Sequence, residues 1–150
     1  MSLVHDQLYS SPGLSRVSLP AYIRDLSESL PSIFDLSGPR ISFELDELEV
    51  GPEEAIPLGL FLGEAVTNAF RHGVGPDGRC DLSLRLKGLE AGRAELVVRD
   101  AGPGLPEGAE GLGLQLMAAL AAQLRGELSF ANEGGAVVRL TFPAQEPIHA

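Results

Sequence analysis

The chain has 150 residues, 21 acidic and 11 basic, and a formal net charge of -10 at pH 7. Its length suits one domain with a real core, its 44% apolar share excludes disordered and collagen-like chains, and its acidity with one lysine, Lys87, argues against a nucleic-acid surface. No apolar run approaches the ~20 residues of a bilayer span, no signal peptide is visible, and a single cysteine, Cys80, excludes an internal disulfide, so a cytoplasmic segment without membrane contact is expected.

In chain order, Leu3–Tyr9 reads as the last turns of a helix, and Ser10-Ser11-Pro12-Gly13 as a loop. Ser18 before Leu19-Pro20 is an N-cap followed by an early proline. Apolar residues at Ala21, Ile23, Leu26 and Leu30 predict a helix to about Phe34. After the Gly38-Pro39 break, Ile41, Phe43 and Leu45 alternate, which predicts a half-buried strand over Arg40–Val50. A long helix follows from about Glu53 to His72, then a glycine-rich loop. Strands Cys80–Lys87 and Ala94–Arg99 form a hairpin across Gly88–Gly92; Cys80, at the strand start, reads as a buried inert thiol. Asp100–Glu110 is turn-rich. Leu112–Leu124 is a helix with its apolar stripe at Leu116, Met117, Leu120, Ala121 and Leu124, and Gly126 stands in the C′ role. Strands Glu127–Ala131 and Ala136–Phe142 join across Asn132–Gly135. The fold class is α+β: a two-layer α/β sandwich whose mixed, mostly antiparallel sheet carries its helices on one face.

Three segments suggest chemistry. On the long helix Glu64, Thr67, Asn68, Arg71 and His72 share one face, opposite Leu62, Ala65, Val66, Ala69 and Phe70. Such a stripe suits a solvated surface equally well, but it lacks salt-bridge patterning, and a carboxylate one turn from an amide offers oxygen ligands to Mg²⁺. A strand then ends in Asp100-Ala101-Gly102-Pro103-Gly104. That aspartate can accept a hydrogen bond from a ligand amino group, and Gly102 and Gly104 permit positive φ and close approach of a flat ring. A plain Asp-x-Gly turn would look the same. Finally, Gly111-Leu112-Gly113-Leu114 opens a helix whose N–H groups and dipole could seat phosphates, or merely caps it. The glycine spacing matches neither a P-loop nor a dinucleotide fingerprint.

Taken in order, these segments resemble the Bergerat ATP-binding family of gyrase, heat-shock chaperone, mismatch-repair and histidine-kinase ATPases. Glu64–Asn68 looks like its N box, and Asp100–Gly104 and Gly111–Leu114 like its two glycine boxes. The stretches LVHDQLYSS, VSLPAYIRDL and IPLGLFLGEAVTNAFRHG further resemble bacterial sensor histidine kinases with glutamate in the N box. The resemblance implies ATP and Mg²⁺ as ligand and cofactor, with Asn68 and Glu64 at the metal. It implies Glu64, Arg71 and His72 as catalytic residues beside the phosphates. It gives nucleotide contacts to Asn68, Asp100, Gly102, Gly104, Gly111, Leu112, Gly113 and Leu114. It also implies that residues 1–12 end a phosphoacceptor and dimerisation helix with its linker, and that residues 13–150 form the ATP-binding catalytic domain. His5 would then lie past the reactive site, and the acceptor histidine upstream of residue 1. The implied partners are that upstream helical domain, a response-regulator receiver domain, and a second copy in the full-length protein.

The sequence departs from the family's pattern at four points: Gly63 where relatives usually have asparagine, a short lid over Leu105–Glu110, Ala136 where relatives often have threonine, and no tryptophan. Three other functions compete: a serine kinase acting on an anti-anti-sigma partner, a nucleotide-binding module without catalysis, and ATP hydrolysis with Glu64 activating water.

Overall fold

The computed structural model describes residues 16–30, 40–74, 79–104 and 113–147. The expected helix over Leu3–Tyr9, the lid over Leu105–Glu110, and Gly111 and Leu112 lie outside them. Elements follow as β1 (Val17–Ser18), α1 (Leu19–Ser29), β2 (Arg40–Leu45), β3 (Glu49–Val50), α2 (Pro52–His72), β4 (Asp81–Leu89), β5 (Arg93–Asp100), α3 (Leu114–Gln123), β6 (Glu127–Asn132) and β7 (Ala136–Pro143).

Five strands form one sheet in the order β2-β4-β5-β7-β6. Only β2 runs parallel to its neighbour, β4; the other pairings are antiparallel. Alternation makes this an amphipathic sheet. Leu82, Leu84 and Leu86 of β4 and Leu96 and Val98 of β5 turn toward the helices and are buried, while Arg85 and Lys87 face solvent. The helices supply the other layer through Phe61, Leu62, Ala65, Val66, Ala69 and Phe70 of α2 and Met117, Leu120 and Ala121 of α3. The expected two-layer α+β architecture is therefore present.

Several expectations need correction. The strand predicted over Arg40–Val50 is two. After Leu45 the chain leaves the sheet, and β3 pairs with β1, Val17 against Val50, in a separate two-stranded sheet. Glu49 also exchanges backbone hydrogen bonds with Gln145, at 2.7 and 3.0 Å, so tertiary pairing overrides the local alternation. In α1 Ile23 is buried and Leu26 and Leu30 pack against the core as expected, but Ala21 is exposed and Tyr22 is buried beside Ile23 instead. Ser18 does precede the helix, yet makes no side-chain capping bond. In α3 the predicted stripe residue Leu116 is 48% exposed.

Gly126 does not hold the C′ place either. Arg125 does, with φ 55°. Its N–H donates to the Ala122 carbonyl at 3.0 Å, and the Gly126 N–H to the Ala121 carbonyl at 2.9 Å. That is a Schellman termination one residue earlier than expected. Gly126 is needed for room instead, since a methyl there would collide with the Thr141 carbonyl oxygen.

A close approach also fixes α1 on α2. The Tyr22 hydroxyl donates to the Ala55 carbonyl at 2.6 Å, and it stands where a Gly59 side chain would begin. Gly59→Ala is expected to push the two helices apart and cost about 1–3 kcal/mol, read as a lower melting temperature. Tyr22→Phe in the same background should recover part of the loss, because it removes the clashing oxygen. Gly63 behaves differently: nothing lies within 4 Å of where its side chain would stand. At low protein concentration, Gly63→Ala should therefore stabilise the chain by about 1 kcal/mol through helix propensity alone.

Candidate functional site

One end of the molecule gathers the polar side of α2, the end of β5 and the start of α3. α2 is long enough to reach it because Glu53 and Glu54 occupy its first turn and Arg71 and His72 its last, each complementing the helix dipole. The buried half of the helix binds it to the sheet and so sets where its polar half points.

A cleft there is lined by Ala65, Asn68, Ala69 and His72 of α2, Val98 and Asp100 of β5, Gly104 just beyond that strand, Leu114 and Met117 of α3, and Ala136 and Val138 of β7. Asn68, His72, Asp100, Gly104 and Leu114 thus share one cavity. Glu64 stands at its margin: a methyl on Gly113 would collide with the Glu64 carboxylate and come within 4.0 Å of the Asn68 amide nitrogen. Gly113 itself adopts φ 79°, the left-handed conformation, as the N-cap residue of α3. Arg71 is exposed and is not among the lining residues. A wider hollow, lined in part by Asp46, Gly88, Arg93 and Glu146, lies at the opposite end of β5 and contains none of the candidate residues.

Asp100 is the most constrained polar group of the cleft. It is only 6% exposed. Its Oδ1 accepts the Gly102 N–H at 2.9 Å and the Ala136 N–H at 3.1 Å. Two glycines press on it: a methyl at Gly73 would lie 2.6 Å from Oδ2, and one at Gly135 would collide with the Asp100 carbonyl oxygen; a methyl at Gly102 would in turn collide with the Gly73 backbone. Gly102 is therefore required for backbone packing and not for positive φ; Gly104, at φ 89°, supplies that.

The part played by Gly73, Gly135 and the Ala136 N–H was missed by sequence reasoning. The Gly134-Gly135 doublet was the available signal, since its second residue sits at φ 145°, a conformation essentially reserved for glycine.

Cys80 lies beneath this floor. Its thiol donates to the Ala69 carbonyl at 3.4 Å, and burial, then Asp100 and Asp81, push its pKa from 9.0 up to about 11. The folded thiol therefore holds its proton more tightly than the unfolded one. Stability from this group is full below pH 9 and falls as pH rises toward 11. Thermal melts across that range should show wild type losing stability faster than Cys80→Ala. Tyr22, pushed by burial from 10.0 to about 12, adds its own loss as pH rises from 10 toward 12, in wild type and Cys80→Ala alike.

The cleft also admits a simple test of the ligands implied above. Among the described residues no three His, Cys, Asp or Glu side chains cluster as a metal cage. Glu64 with Asn68 instead offers the one-carboxylate, one-amide donor set that suits Mg²⁺ when phosphates and water complete its shell.

A fold of this type with such a cleft defines a class, and the chain belongs to it: the family described as histidine kinase-, DNA gyrase B- and HSP90-like ATPases matches residues 53–146. A curated relative, blue-light-activated histidine kinase 2 of Erythrobacter litoralis, is 24% identical over 136 residues, 87% of this chain and 39% of the relative. The chain thus spans about two fifths of that relative's length. The histidine kinase domain of the Erythrobacter litoralis EL346 blue-light activated histidine kinase shares the fold, with TM-score 0.82 at 22% identity over 93% of this chain and 69% of that one. Full-length ShkA in complex with AMPPNP superposes with TM-score 0.71 at 20% identity, covering 93% of this chain and 33% of ShkA. No helix among the described residues is long and apolar enough to cross a membrane.

Proposed function

We propose that this chain is the ATP-binding catalytic part of a sensor histidine kinase of the group with glutamate in the N box. It would present Mg-ATP to a histidine on a helical segment beyond residues 1–150. The observation that carries this reading is the single cleft into which Asn68, His72, Asp100, Gly104 and Leu114 converge, in a chain of this family.

Within it the Asp100 carboxylate accepts a hydrogen bond from the adenine amino group through Oδ2, since Oδ1 already accepts from Gly102 and Ala136. Glycines 102 and 104 hold the loop against the ring. Glu64 and Asn68 hold Mg²⁺, which supplies charge neutralisation on the phosphates. The backbone around Gly113 and Leu114, continuing from Gly111 and Leu112, donates to phosphate oxygens at the helix N-terminus. His72 stands near the phosphates, and Arg71 reaches them from outside the cleft. Phosphoryl transfer asks chiefly for positioning and charge stabilisation, so the nucleophile can come from another segment. A response-regulator receiver domain would then take the phosphoryl group, and the full-length protein would be a dimer acting in the cytoplasm.

The experiment is incubation with ATP labelled at the γ-phosphate. Residues 1–150 alone should bind nucleotide but take up little label. A longer chain that includes the preceding helical segment should gain acid-labile, base-stable label, the mark of phosphohistidine. Strong labelling of residues 1–150 alone, or label stable to acid on a serine of another protein, would overturn the proposal.

A further inference from the structure

The outer side of α2 carries two exposed apolar residues that the cleft does not use. Ile56 and Leu60 are 51% and 57% exposed and stand one turn apart on one face. Gly63 and Thr67 continue that face, with open space in front of Gly63. Glu53, exposed in the first turn, and Arg71, exposed in the last, bound it.

The spacing is palindromic over Ile56, Leu60, Gly63 and Thr67, and Glu53 and Arg71 depart from it by one residue. When two such helices are laid antiparallel and centred between Leu60 and Gly63, Leu60 meets the open space before the partner's Gly63. Ile56 then meets the partner's Thr67, and the partner's Arg71 lies one residue beyond the position opposite Glu53, about 1.5 Å along the helix and within reach of two long side chains. Each of these contacts occurs twice, as a two-fold interface demands. We propose that α2 is the contact helix of a weak two-fold dimer of this chain. A second copy is the occupant that matches the face: an apolar residue opposite a gap in the middle, and opposite charges brought close together at both ends.

Gly63 then has a physical account, because the helix forgoes a better helix former to admit the partner's Leu60. Arg71 also takes part in an interaction within its own chain, and the partner's Glu53 adds to it. The nucleotide cleft stays open in such a dimer, because its lining residues face α3 and the sheet. The proposal does not rest on nucleotide binding. One helix per copy makes a contact smaller than a standard stable interface, so association should depend on concentration.

Sedimentation of the 150-residue chain from micromolar to millimolar concentration should show a monomer–dimer equilibrium. Leu60→Arg and Gly63→Gln should each weaken it at least tenfold while keeping the melting temperature near that of wild type. Glu53→Arg should weaken it as well, and adding Arg71→Glu should restore it. A chain that stays monomeric at millimolar concentration would overturn the proposal. So would a dimer left intact by Leu60→Arg and Gly63→Gln, or a double charge reversal no tighter than Glu53→Arg alone.

Discussion

Asp100→Asn is expected to weaken Mg-ADP binding by one to two orders of magnitude, from the ~1.5–3 kcal/mol of a hydrogen bond to a charged group. The substitution is selective because of what Oδ1 already does. It accepts from Gly102 and Ala136, and the asparagine oxygen can keep both bonds. The change falls on Oδ2, which becomes an N–H donor facing the donor amino group of the proposed ligand. The fold should therefore survive, and the melting temperature separates lost binding from lost structure. Calorimetric titration of wild type and variant would make the comparison; equal affinity in two well-folded proteins would remove Asp100 from the site.

Gly135→Ala is expected to have the largest effect on stability, about 2–6 kcal/mol. Two costs add. The residue sits at φ 145°, where a side chain strains the backbone by about 1–3 kcal/mol. Its methyl would also collide with the Asp100 carbonyl oxygen, an overpacking cost of roughly 1–3 kcal/mol more. At about 2–4 °C per kcal/mol for a chain of this size, a fall of ten degrees or so in melting temperature is the expected reading. Nucleotide affinity should fall with it, since the strained turn carries the Ala136 N–H that holds Asp100. Gly134→Ala is the control: Gly134 has a positive φ of 70° but nothing within 4 Å of its side-chain position, so only the strain cost applies. Equal effects at the two positions would show that the contact with Asp100 carries no weight.

The fold was largely legible because each long element announces itself by period. Leu82, Leu84 and Leu86 alternate, whereas Leu62, Ala65, Val66 and Ala69 recur at helical spacing, and all are buried. Errors came where period is uninformative. Two-residue strands such as β1 and β3 carry no pattern, and they exist only by pairing with each other across a remote stretch of chain, with Gln145 bridging Glu49. Leu116 and Met117 are adjacent apolar residues, and only packing decides that the second is buried and the first exposed. Arg125 takes a left-handed conformation that local chemistry would have given to Gly126; the Thr141 carbonyl claims the glycine instead.

The cleft shows the same division. Residue type and spacing nominated Asn68, His72, Asp100, Gly104 and Leu114 without knowledge of their distances. They could not reveal that Arg71, one turn from Asn68, is exposed and outside the lining of the cleft. They also left hidden the backbone donor at Ala136, whose only trace in the sequence is the Gly134-Gly135 doublet before it.

The amino-acid order by itself determined which residues can be buried, where helices and strands must run, and which polar groups have no apolar reason to exist. Those are local properties, set by side-chain volume, polarity and backbone preference. Only the tertiary structure decided which glycines are spacers between backbones and which carbonyls claim them. It also decided which face of α2 remains open. Such matters are set by distances between elements remote in the chain, and no residue carries that information alone.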